Sequence, residues 1–225
     1  MKIMLLDLVQ TSDAPDEVKS PALADKWMGR SLIINLGGQK KINAVGIGYT
    51  DANNITVEIG EASGTTASGT THTFGITHTF AYTDSGLYMI GDHRGSVVRI
   101  TIDGSYVGRI GIGMAHNIPI SPRREPGYVD PKPRETVSAQ LLPPVGEVSR
   151  RKISVDVRYR ITAGMIAELG TASLARSFPY FLLFDQETTW LPWRRLYARD
   201  KNRGALQSSV NRMIFSRKFD FVECF

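Results

Sequence analysis

The sequence predicts an all-β chain, a β-sandwich or jelly roll followed by a second, smaller β-rich domain. Three observations carry that expectation. Short apolar runs alternate with polar residues at a spacing of two, 21 glycines and 11 prolines punctuate them, and few stretches show the 3.6-residue period of a helix.

The elements follow in order along the chain. Leu32-Ile33-Ile34-Asn35-Leu36 before Gly37-Gly38 reads as a strand and a turn. Residues 42–49 and 55–59 read as two more strands, separated by the turn-forming Asp51-Ala52-Asn53-Asn54. The Gly/Ser/Thr-rich stretch 62–71 reads as a flexible hairpin tip, and a short repeat follows it, Thr71-His72-Thr73-Phe74 and then Thr77-His78-Thr79-Phe80. Residues 87–90, 97–102 and 107–112 complete about seven or eight strands before residue 115, the spacing of a sandwich or jelly roll.

Residues 119–146 change character. Prolines at 119, 122, 126, 131, 133, 143 and 144 suit an extended connector better than a helix or a central strand. Beyond it, Ile153, Val155, Val157, Tyr159 and Ile161 alternate with Ser154, Asp156, Arg158 and Arg160 as a half-buried strand does. Residues 163–175 form the one convincing helix candidate, with Met165, Ile166, Leu169 and Leu174 on one side. Residues 178–184 read as a continuous apolar strand. Residues 213–225 read as another, with Phe215, Phe219, Phe221, Glu223 and Phe225 on one face, and so apolar an end is expected to be paired within the fold or with a neighbour. The expected division is a sandwich with an N-terminal arm over residues 1–118, a connector over 119–150 and a basic β-rich assembly domain over 151–225.

Composition narrows the function classes. A chain of 225 residues with 42% hydrophobic and 22% charged residues is an ordinary globular protein, and its sole cysteine, Cys224, excludes an intramolecular disulfide and a cysteine-built zinc site. Residues 1–10 are apolar but interrupted by Lys2 and Asp7, with no small-residue cleavage site after them, and no run of about 20 apolar residues exists. Neither a secretory leader nor a membrane partner is expected. The net charge of +5 is unevenly held: residues 1–120 carry 9 basic against 11 acidic side chains, and residues 121–225 carry 18 against 11. In that second half Arg123, Arg124, Arg150, Arg151, Arg194 and Arg195 stand among Tyr180, Trp190, Trp193 and Tyr197. Arginines interleaved with aromatics suit a stacking platform for single-stranded nucleic acid or a protein interface. No RNP, KH or helix-turn-helix pattern accompanies them, so these six arginines are expected at an interface and nucleic acid is not expected.

Catalytic patterns are missing. No Gly-x-Ser-x-Gly elbow is present, and none of the glycine-spaced segments 46–48, 60–64 or 108–113 opens a helix after a strand, as a phosphate or dinucleotide loop requires. They read as strand bends and close sheet packing. The expectation is no enzyme and no cofactor. His72 and His78, six residues apart, would share a face of a continuous strand as a metal pair. Threonines flank both, no acid follows until Asp84 and the segment can bend at Gly75, so a repeat-derived hairpin is the expectation and no metal.

The order of motifs is informative. Ala24-Asp25-Lys26-Trp27 precedes the strand ending in Gly37-Gly38. Lys41-Ile42-Asn43-Ala44-Val45-Gly46-Ile47-Gly48 follows, then Ile55-Thr56-Val57-Glu58-Ile59, Val97-Val98-Arg99-Ile100-Thr101-Ile102 and Tyr106-Val107-Gly108-Arg109-Ile110-Gly111-Ile112-Gly113. This order over residues 25–117 resembles the discoidin or galactose-binding-like jelly roll, in the variant found in tail proteins of tailed bacteriophages. The proline- and arginine-rich residues 122–128, leading into another β-unit, are similar to the C-terminal parts of such proteins. The resemblance implies a galactose-binding-like fold and a virion structural component of the tail or baseplate, a hub, ring or fibre attachment, assembled in the host cytoplasm. Its partners would be copies of itself and other virion proteins. A capsid decoration protein or a carbohydrate-binding adsorption module is the alternative. The jelly roll would face outward towards host surface glycans, with Thr70, His72, Phe74, Tyr82 and Asp84 as candidate contacts, and Trp27 in the core.

Overall fold

The computed structural model describes residues 1–20, 25–66, 69–117, 120–129, 134–135, 141–142, 150–160, 180–184, 195–201, 207–208 and 214–224. Its strands are β1 (Lys2–Asp7), β2 (Trp27–Met28), β3 (Ser31–Thr50), β4 (Asn54–Thr66), β5 (Gly69–Ala81), β6 (Gly86–Ile102), β7 (Tyr106–Asn117) and β8 (Ile120–Val129). They continue with β9 (Arg134–Glu135), β10 (Leu141–Leu142), β11 (Arg150–Arg160), β12 (Tyr180–Leu183), β13 (Arg195–Asp200), β14 (Gln207–Ser208) and β15 (Ile214–Glu223). The described residues are nearly all β, as the alternation predicts, with short helical turns only at Leu8–Thr11 and Asp16–Lys19. The helix expected over residues 163–175 lies outside the described residues.

Two compact units form, one of Met1–Ile118, Thr162–Tyr197 and Phe225, the other of Pro119–Ile161 and Ala198–Cys224. This division differs from the one read in the sequence. Residues 162–197 group with the first unit, and the start of the expected connector is a strand, β8, of the second. Proline density pointed away from a strand there because a proline cannot donate to a ladder. Among the described residues β8 pairs only with β11, with Pro126 opposite Ile153, which is the edge position where proline is tolerated.

In the first unit the neighbours run β5-β4-β6-β3-β7-β1. Strands distant in sequence lie side by side, the crossovers of a jelly roll rather than of an up-and-down meander. β3 and β6 are long enough to serve two sheets. The first part of β3 (Ser31 to Asn35) pairs with the second part of β6 (Val97 to Thr101), and its last part (Ala44 to Ile47) with the start of β6 (Gly86 to Met89) and with β7. Between the two layers lies one apolar core. Leu32, Ile34, Ile55, Val57, Ile59, Val98 and Ile100 enter from one layer and Val45, Ile47, Tyr88, Ile90, Ile110 and Ile112 from the other, with Trp27 packed against them as expected.

The segment expected as an arm is built in. β1 is hydrogen-bonded on both sides, to β7 and to β12. Arg109 of β7, 4% exposed, donates through Nη2 to Asp7 and through Nη1 to the carbonyls of Val18 and Ile110, both at 2.5 Å. Asp7 also accepts from the backbone N–H of Val9 at 3.0 Å and of Ile112 at 3.2 Å. A buried guanidinium is tolerable only when paired and hydrogen-bonded in this way.

The glycine-spaced segments pack as closely as their composition predicts. Gly46 of β3 lies opposite Gly111 of β7, and the Phe181 ring covers both. A Cβ at Gly46 would stand 2.3 Å from that ring and one at Gly111 2.6 Å. The Tyr197 ring packs against the same ring, tilted, at 4.7 Å. The outer side of β3 and β7 is therefore covered by the chain itself.

In the second unit β11 lies between β8 and β15, with Ile153 opposite Phe221 and Val155 opposite Phe219, all four buried. The phenyl rings of Phe219 and Phe221 stack at 5.2 Å. Glu223, 4% exposed, accepts from the Arg151 backbone N–H at 3.1 Å, from its Nε at 2.9 Å and from its Nη2. The apolar strand near the end of the sequence is thus paired inside its own unit. Cys224 is buried beside it, and burial pushes its thiol up.

Gly46→Val places methyl groups inside the Phe181 ring. It is expected to lower unfolding free energy by about 1–3 kcal/mol, the usual cost of overpacking. Adding Phe181→Leu is expected to return part of that loss. Urea denaturation of the two single variants and the double variant measures the coupling.

Candidate ligand-binding surface

Among the described residues the outer side of the β5-β4-β6-β3 layer is exposed or half-buried, an open face, and the irregularity at Gly75 decides what stands on it. Along β4 and β5 the pairs run Ile55 with Phe80, Val57 with His78 and Ile59 with Ile76. Ile55, Val57 and Ile59 are core residues, so Phe80, His78 and Ile76 face inward too. The register then shifts: Gly60 pairs with Phe74, leaving Gly75 as an extra residue, a β-bulge. Gly60 follows Ile59 and faces out, and Phe74 and His72 therefore face out with it. A Cβ at Gly60 would meet the Thr73 carbonyl oxygen at 2.1 Å, so this close approach needs glycine there. The two copies of the Thr-His-Thr-Phe repeat thus present opposite sides of the sheet.

Across the open face, side chains stand in rows. Thr79, Thr56, Thr101 and Ser31 form one, with Thr56 and Thr79 hydroxyls 3.1 Å apart and those of Ser31 and Thr101 3.4 Å apart. Thr77, Glu58, Arg99 and Ile33 form the next. Arg99 grips Glu58 through two parallel bonds, Nε at 2.5 Å and Nη2 at 2.6 Å. Those hydrogen bonds hold the Glu58 carboxyl below its ordinary value despite its partial desolvation. The Arg99 guanidinium also lies over the Phe74 ring, 4.3 Å from its centroid, and His72 tilts against that ring at 6.2 Å. Ile33, 43% exposed, adds an apolar patch at the far end of the row. Such a surface offers a flat apolar ring, fixed donors and acceptors, and hydroxyls. These are the groups that recognise a polyhydroxylated ligand.

The residues singled out in the sequence are distributed as follows. His72 and Phe74 stand together on the open face. Thr70 lies on β5, its side chain outside the described part. Tyr82 packs against the core cluster with its hydroxyl 2.9 Å from the Ser85 hydroxyl, and the Asp84 carbonyl accepts from the Tyr88 hydroxyl at 2.9 Å. Among the arginines, Arg123 and Arg124 lie on β8 and Arg150 is exposed at the start of β11, while Arg194 lies outside the described residues. Arg151 is committed to Glu223. Arg195 donates to the Leu87 carbonyl at 3.2 Å and the Thr83 hydroxyl at 3.0 Å, with its guanidinium 4.2 Å from the Tyr88 ring centroid.

Sequence reasoning missed Arg99 and Glu58, because only strand register brings residues 41 positions apart into contact. It also missed His93. The His72 and His78 pair considered in the sequence is separated by the bulge, and His78 instead meets His93 of β6, Nε2 to Nε2, at 2.9 Å. Burial first, and then the charge on His93, hold the His78 imidazole below its ordinary 6.5.

The turns at one end of the sandwich use their carboxylates internally. Asp51 accepts from the backbone N–H groups of Ser105 at 2.9 Å and Tyr106 at 3.1 Å and from the Ser105 hydroxyl. The Ser105 hydroxyl leads in lowering the Asp51 carboxyl to about 2. Asp103 accepts from the N–H groups of Asn53 at 2.7 Å and Asn54 at 2.9 Å. These acids close turns.

No family model matches the chain, and no curated protein does. Among solved structures it is similar to chitosan-binding module 2 of a chitosanase/glucanase from Paenibacillus sp. IK-5, in complex with chitotriose. The identity is 16%, the TM-score 0.35, and the match covers 46% of this chain and 93% of that one. It is also similar to the CBM32 of AlyQ in complex with 4,5-unsaturated mannuronic acid, at 13% identity and a TM-score of 0.32, covering 50% of this chain and 97% of that one.

The His78 shift has a defined sign. A folded state that resists protonating His78 loses stability as pH falls through 6.5, where the unfolded chain takes up the proton. The melting temperature is expected to drop between about pH 7.5 and 5.5, and His78→Gln is expected to flatten that slope, as read by thermal denaturation across the range.

Proposed function

We propose that the first unit is a glycan-binding module whose binding surface is the open face of the β5-β4-β6-β3 layer. One observation carries this reading: the Phe74 ring stands on a solvent-facing sheet with the Arg99–Glu58 pair locked against it. A sugar ring presents an apolar C–H face and a rim of hydroxyls. Phe74 and Ile33 match the first. Glu58 can accept from, and Arg99 donate to, adjacent hydroxyls, and because each already holds the other in place little side-chain entropy remains to be lost on binding. The threonine and serine row extends the surface along the sheet.

The setting of such a module in a phage tail, with a capsid decoration protein as its alternative, rests on the sequence resemblance. In that setting the open face would carry the protein to a polysaccharide of the host surface.

Affinity electrophoresis in gels containing chitosan, alginate or bacterial surface polysaccharides tests the reading, alongside a glycan array. At least one glycan is expected to retard the protein. Phe74→Ala and Arg99→Ala are each expected to weaken binding by about tenfold or more, the size of a buried contact or charged hydrogen bond. Asp51→Asn, in a turn away from the face, serves as a control expected to bind normally. Failure of every glycan to bind, or unchanged retardation of the Phe74→Ala protein, would overturn it.

A further inference from the structure

The contact between His78 and His93 is hard to satisfy with protons alone. His93 Nε2 lies 2.9 Å from His78 Nε2 and 2.7 Å from the Ile90 carbonyl oxygen. If His93 Nε2 carries a proton and gives it to Ile90, it has no lone pair to offer His78. If it is unprotonated and accepts from His78, its lone pair faces the carbonyl oxygen. With neutral rings, the best arrangement leaves one proton on His93 Nε2 shared between two acceptors, the Ile90 carbonyl oxygen and the His78 nitrogen, so neither contact is a full hydrogen bond. A double protonation would place two cations against each other.

We propose that His78, His93 and the Ile90 carbonyl form a site for a divalent copper or nickel ion. A metal bound to both Nε2 atoms replaces the shared proton, uses both lone pairs and turns the carbonyl contact into a third ligand. The spacing selects among metals. At metal–nitrogen lengths of roughly 2.0–2.1 Å, nitrogens this far apart subtend about 90°, the angle of adjacent ligands in a tetragonal site and well short of a tetrahedral one. Tetragonal nitrogen and oxygen sets favour copper(II) or nickel(II) over zinc. No third His, Cys, Asp or Glu joins the pair among the described residues, so water completes the coordination. Both imidazoles are only partly buried, which leaves a route for the ion to enter.

The place in the fold gives the ion a consequence. His78 lies on β5, the outer strand of one layer, and His93 near the middle of β6, just past Gly91, which holds φ +81. Beside them the Phe80 and Tyr88 rings stack at 4.4 Å. An ion held by both histidines therefore ties the edge of one layer to the strand that passes between the layers, and binding to the folded state alone raises its stability.

Copper(II) titration of the tag-free full chain, followed by electron paramagnetic resonance in a non-coordinating buffer, tests the site. One equivalent is expected to give an axial spectrum with hyperfine structure from two imidazole nitrogens, and copper or nickel is expected to raise the melting temperature more than zinc does. His78→Gln and His93→Gln are each expected to weaken binding by about tenfold or more and to remove the two-nitrogen pattern, whereas His72→Gln and His116→Gln keep both. If a variant at 78 or 93 does not fold, footprinting of the unaltered protein replaces it: copper is expected to protect His78 and His93 from diethyl pyrocarbonate and to leave His72 reactive. A copper spectrum unchanged by both substitutions, protection spread equally over all the histidines, or zinc bound as tightly as copper would overturn the proposal.

Discussion

A single extra residue organises the functional side of this protein. Gly75 is unopposed in the β4–β5 ladder, and because side chains alternate across a strand, one residue of shift exchanges the two faces. Before the bulge, His72 and Phe74 lie half-buried on the outer side of the sheet beside Arg99. After it, His78 and Phe80 turn inward, to His93 and Tyr88. Without the shift, both copies of the repeat would present the same face, and neither the outer platform nor the histidine contact would exist in its present form.

The two layers of the first unit are treated unequally. Behind β3 and β7 the glycine pair Gly46 and Gly111 admits the Phe181 ring, and Tyr197 packs on that ring. Here the chain covers its own sheet with aromatic surface, where apolar burial outweighs the entropy of ordering those side chains. On the outer side of β3 to β6 the Phe74 ring and Ile33 stand among threonines, a serine and an ion pair, groups that for the most part lose little by staying hydrated. A surface so built is stable when empty and retains its hydrogen-bonding capacity for a ligand.

Charge is handled in two ways. Arg109 and Arg151 are buried or nearly so, each matched to a carboxylate and to backbone groups, and both hold distant segments of their own unit together. Arg99 is paired on the surface, where the same bidentate geometry contributes little to stability but fixes the direction of its donors. The basic residues that set the charge of the second half include one of each fate: Arg151 is consumed inside the fold, and Arg150 remains exposed.

Period-two alternation and turn chemistry by themselves determined the all-β class, the strands around residues 32–36, 55–59, 97–102, 107–112 and 153–160, and the close packing at the glycines, because each follows from local geometry. The strand at residues 2–7 was obscured by its continuous apolar run, and β8 by prolines that only an edge position tolerates. What tertiary structure alone decided is the partner of each functional side chain. Glu58 meets Arg99 through the regular β4–β6 register and His78 meets His93 across strands. The bulge at Gly75 decides that Phe74 joins the Glu58–Arg99 pair, through a close approach of Gly60 to Thr73 that the pattern of residues along β5 does not show.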